Sequence, residues 1–98
     1  MKQHRYRITV EHLADAKGVP SMQPPLQFEV GNHDDIIAIV ERMRSRDDLP
    51  EDAATALAVG LKLFSEVMLE NREHPLFSSF REPFTQFMHT LKKAPTKA

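Results

Sequence analysis

Alternation of apolar and polar residues occurs twice near the start of this chain and never again. In HRYRITVEHL (residues 4–13), Tyr6, Ile8 and Val10 fall on one face, and Arg5, Arg7, Thr9 and Glu11 on the other. In LQFEV (residues 26–30), Leu26, Phe28 and Val30 oppose Gln27 and Glu29. Period two with β-branched and aromatic residues is the pattern of a half-buried strand. The intervening ADAKGVPSMQPP holds Gly18 and three prolines. It is too long for a tight turn, and its prolines argue against a crossover helix. We expect an antiparallel pair joined by a long, mobile loop. A lone two-stranded ribbon is marginal and has two open edges. Helices, the loop or a second copy of the chain must therefore cover it, which makes a homodimer an expectation.

After residue 30 the period lengthens to that of a helix. In GNHDDIIAIVERMRSRDD, Asn32 is placed to cap, with Asp34 and Asp35 in the first turn, where the helix dipole favours carboxylates. A first helix is expected over residues 33–46. LPEDAATALAVGLKLFSEVMLENR predicts a second helix over 50–71, with Pro50 in its first turn. Apolar residues cover most of its circumference, leaving Thr55, Lys62, Ser65 and Glu66, with Glu70 at the end, as a polar strip, so it should be central and nearly surrounded. Gly60 costs about 1 kcal/mol in helix propensity and suggests close approach of another backbone. Asn71 suits the left-handed residue that ends a helix. Pro75 biases His74 away from helix. Leu76, Phe77 and Phe80 are expected to pin this joint on the core, with His74 and Arg72 at its rim. Pro83 should start a final helix over 83–92, followed by a frayed tail at 94–98. The fold class is α+β: a single domain of order β-β-α-α-α, with the helices packed on one face of the ribbon.

Several chemistries find no support. The 98 residues contain no cysteine, which removes disulfides and thiolate chemistry. Net charge is −1. The segments 1–31, 32–74 and 75–98 carry four, five and four Lys/Arg against three, ten and one Asp/Glu, which is not a nucleic-acid footprint. No stretch reads as a signal peptide or membrane span, so the expected location is the cytoplasm. His4 and His12 would lie roughly 26 Å apart along a strand. His74 with Glu70 supplies two ligands where a structural zinc wants four. We expect no metal and no cofactor. Asp34–Asp35 and Asp47–Asp48 diverge as neighbours and suit caps and turns, not general acid–base work. Five methionines and six phenylalanines at helical spacing read as core before groove.

Strand 26–30 and the first two helices follow the order of a ribbon-helix-helix DNA-binding protein. There the outward residues would read bases. Here they are Gln27 and Glu29, and the earlier strand already offers a partner within the chain. The favoured reading is a non-enzymatic interaction or accessory protein with an unidentified protein partner. Its candidate surface is Arg5, Arg7, Thr9, Glu11, Gln27 and Glu29. A DNA-binding regulator and a small enzyme with an unrecognised site are the alternatives. No catalytic residue stands out.

The segments HRYRITVEHLAD, LQFEVGNHDDI, LAVGLKLFSEVMLENR, HPLF and FTQFM make nearly the whole chain resemble the bacterial family named for domain of unknown function 3861. The resemblance implies a compact cytoplasmic α+β domain and transfers no catalytic residue or ligand.

Overall fold

The computed structural model describes residues 2–93. The elements run β1 (His4–Val10), β2 (Leu26–Asn32), α1 (Ile36–Met43), α2 (Glu51–Glu70), a short 3-10 turn (Pro75–Phe77) and α3 (Arg81–Lys93). Two antiparallel strands followed by three helices is the α+β class expected. The tail at 94–98 lies outside the described residues. The chain forms two compact units, one ending at His33 and the other starting at Asp34.

In the first unit β1 and β2 pair antiparallel, with Arg5 opposite Gly31, Arg7 opposite Glu29, and Thr9 opposite Gln27. The apolar face is built from Tyr6–Val30, Ile8–Phe28 and Val10–Leu26 pairs. Two boundaries differ from expectation. β2 extends through Gly31 to Asn32, which pairs with His4, and the N-cap of α1 is Asp35. β1 ends at Val10, because the connecting segment folds on itself. Asp15 Oδ1 accepts hydrogen bonds from the backbone N–H of Lys17 (2.9 Å) and Val19 (3.0 Å). Gly18 sits at φ 86°, which glycine adopts without steric cost. Ala14 bridges Pro20, and Ser21 N–H donates to Leu13 O at 3.0 Å. The segment expected as a mobile loop carries an organised turn closed by an aspartate.

In the second unit α1 is shorter than the pattern 33–46. Its N-cap is Asp35, whose carboxylate accepts from Ala38 N–H at 3.1 Å, and neither Asp34 nor Asp35 lies in the first turn. At the other end Ser45 and Arg46 donate to carbonyls three residues back, which tightens the chain out of the helix. Two ion pairs fix α1 along α2: Lys62–Asp34 and Arg44–Glu51, both 2.8 Å. They set α1 antiparallel to α2, and the residues covered are Ile36, Ala54 and Ala58.

Pro50 is the N-cap of α2, not its first turn. At the C-cap, Asn71 has φ −127°, so no left-handed residue ends this helix. Instead the Asn71 side-chain amide donates to Val67 O at 2.8 Å. His74 is extended, as Pro75 requires, and its Nδ1 accepts from Leu76 N–H at 3.1 Å. The ring therefore caps the 3-10 turn. Of the three side chains expected to pin the joint, only Phe77 is buried. α3 begins two residues before Pro83, which is tolerated because first-turn N–H groups have no partner in the helix.

Candidate functional site

Five of the six candidate residues come together on the polar face of the ribbon. Strand alternation puts Arg5, Arg7 and Thr9 of β1 beside Gln27 and Glu29 of β2, all exposed. Glu29 receives both arginines, Arg7 Nη2 at 3.1 Å and Arg5 Nη2 at 3.5 Å. Gln27 Nε2 donates to Thr9 Oγ1 at 3.3 Å. These are cross-strand pairs of the kind that hold a ribbon's register. Glu11 lies past the end of β1 and outside this group. The face has mixed charge and hydrogen-bonding capacity. It contains no nucleophile set beside a base.

His12 Nδ1 lies 2.7 Å from Gln23 Oε1, and His74 caps its turn. Among the described residues no three His, Asp or Glu side chains approach closely enough to hold an ion.

Arg46 and Asp48 form an ion pair that joins two parts of the helical unit. Arg46, whose side chain is 7% exposed, donates through Nε to Asp48 Oδ1 at 2.8 Å and through Nη1 to Leu91 O at 3.2 Å. This ties the α1–α2 connection to the last turns of α3. The hydrogen bond from Arg46 holds the Asp48 carboxyl below its ordinary range; partial desolvation opposes this and the arginine's charge adds to it. The same hydrogen bond raises the Arg46 guanidinium. A depressed carboxylate stabilises the fold above its unfolded value, and that contribution fades as pH falls through the folded one. Asp48→Asn should therefore lower thermal stability at neutral pH, with the gap from wild type narrowing below about pH 4. A constant gap across an acid titration of the melting temperature would contradict this role.

Beside that pair, Ile39, Met43, Met88 and Leu91 floor a shallow pocket rimmed by Arg42, Arg46, Lys62 and Lys92. Two of its cations are engaged by carboxylates, Arg46 by Asp48 and Lys62 by Asp34. A second depression is almost wholly apolar, lined by Ala56, Leu57, Gly60, Leu61, Phe64, Phe80, Phe84 and Phe87. Phe64 meets Phe77, Phe80 and Phe84 edge-on, with ring centroids 5.7–6.0 Å apart. Sequence periodicity assigned these phenylalanines to core. The structure buries Phe77 and leaves Phe64, Phe80 and Phe87 37–44% exposed along a groove. No sequence signal separates the two outcomes, because both place aromatics at helical spacing.

A family model, described as a domain of unknown function with a solved structure (DUF3861), matches residues 4–93. The chain is also similar to a crystal structure of a protein of unknown function (eca1910) from Pectobacterium atrosepticum SCRI1043. The identity is 41% and the TM-score 0.81, over 94% of this chain and 99% of that one. No curated protein matches. No helix of the described residues is long and apolar enough to cross a membrane.

Proposed function

We propose that this chain, which belongs to the DUF3861 family, is a non-enzymatic interaction module that self-associates and meets a protein partner through the polar face of its ribbon. The observation that carries this reading is the clustering of Arg5, Arg7, Thr9, Gln27 and Glu29 on one exposed face, joined by cross-strand ion pairs and a hydrogen bond. Such a face suits recognition. Complementary charges steer encounter and reject wrong partners more than they add affinity. Glu29 at the centre of the group favours a protein over a nucleic-acid backbone, since it would stand against phosphates. The cytoplasm is the compartment proposed.

The test is a pull-down from the native host with wild type and with a double charge reversal, Arg5→Glu with Arg7→Glu, followed by mass spectrometry. We expect wild type to capture a protein reproducibly, and the variant to lose at least about tenfold of it. Circular dichroism checks that the ribbon survives. Equal capture by both would remove the ribbon face from the interaction. Salt-dependent DNA binding by wild type would favour a DNA-binding regulator instead.

A further inference from the structure

The amphipathicity of α2 is inverted relative to expectation. Two members of the strip read as solvent-facing, Lys62 and Glu66, are turned inward: Glu66 is 8% exposed and the Lys62 side chain 22%. On another face Ala53, Ala56, Gly60, Phe64 and Val67 are all exposed. At 3.6 residues per turn these five fall within a single narrow stripe. Among the described residues, a Cβ added at Gly60 would meet no heavy atom within 4 Å beyond its own helix, so the close approach suggested by this glycine has no counterpart among them.

The stripe is symmetric about its glycine. Gly60 lies at the middle of α2, with Ala56 and Phe64 four residues either side and Ala53 and Val67 seven either side. Two antiparallel copies crossing at Gly60 would put Ala56 level with Phe64 of the partner subunit, and Ala53 level with Val67 of the partner subunit. Small meets large at each level, which is the self-complementarity a twofold interface demands. The phenylalanine groove runs alongside and would take the partner ring.

The area also suits a second copy. A phenylalanine carries about 150–250 Å², so Phe64, Phe80 and Phe87 each leave about 60–100 Å² uncovered. With Val67 and the small residues the apolar patch reaches roughly 400 Å², at which size a patch on a monomer is often functional. Doubled by symmetry and ringed by polar contacts, it meets the roughly 1,000 Å² of a specific interface.

We propose that this face of α2, with the groove beside it, is the surface on which a second copy of the chain docks, antiparallel about Gly60. This rests on the self-association in the reading above and locates it on α2 instead of the ribbon.

Gly60→Glu tests it, because the added side chain enters open space in the isolated chain and should leave the fold intact by circular dichroism. Sedimentation across a wide concentration range should show a wild-type dimer, and a variant whose self-association is weakened at least about tenfold. With no native cysteine to interfere, Gly60→Cys supplies position. Helices packed about 8 Å apart bring facing Cα atoms to roughly 3.5–5.5 Å, within disulfide reach. Mild oxidation should link Gly60→Cys dimers and leave Val10→Cys, on the ribbon's apolar face, unlinked. A dimer that resists Gly60→Glu, or that links only through residue 10, overturns the α2 surface and spares self-association. A wild type that stays monomeric throughout overturns both.

Discussion

Phe77→Ala should cost about 3–5 kcal/mol, the range for removing a buried phenylalanine. Among the described residues Phe77 is the one aromatic side chain that is buried, at 9% exposure. It sits edge-on to Phe64 of α2 at 6.0 Å, and its ring is 5.8 Å from that of His74. The 3-10 turn that carries it is one turn long, so helical cooperativity cannot hold it in place. The ring is the anchor that holds the segment between α2 and α3 against α2. Chains of this size have about 5–15 kcal/mol of stability in total, so the loss would be severe. Urea unfolding checks it, with Leu76→Ala as the neighbour control. Leu76 is 71% exposed, and its truncation should stay within about 0.5 kcal/mol. Equal effects at both positions would mean that the joint is not anchored by Phe77.

A pair of substitutions two residues apart on α2 should move stability in opposite directions. Ala58 is 1% exposed, on the side of α2 along which the two ion pairs lay α1. Ala58→Leu adds three carbons where the helices already touch, and overpacking of this kind costs about 1–3 kcal/mol. Gly60→Ala adds a methyl group to open space and removes a poor helix former, which should gain up to about 1 kcal/mol. The comparison belongs at concentrations where the chain is dissociated, so that it reads the fold alone. Loss of stability from Gly60→Ala under those conditions would show that the exposed side of α2 is covered within the chain.

Much of the architecture was legible in the residues. Alternation over 4–13 and 26–30 is a local property of side chains on a pleated backbone, and it located both strands and their polar faces, although the first strand ends at Val10. The same pattern brought Arg5, Arg7, Thr9, Gln27 and Glu29 to one face, and the register then made Glu29 the partner of both arginines. Glu11 was lost to that face because the Asp15 turn pulls the chain out of the strand first. The helix ends moved by a few residues for similar reasons. Asp35, not Asn32, is the N-cap of α1, and Asn32 is the last residue of β2.

The sequence by itself determined the order β-β-α-α-α, the break around Pro75 and the capacity of α2 to be helical along its whole length, since each follows from backbone preference and short-range spacing. It could not determine which way α2 would face. Apolar residues surround most of that helix, so periodicity left its rotation nearly free. Tertiary contacts decided it: the Lys62–Asp34 and Arg44–Glu51 pairs lay α1 over the alanine side, and the phenylalanines took one flank. The remaining apolar stripe, centred on Gly60, was left to the outside.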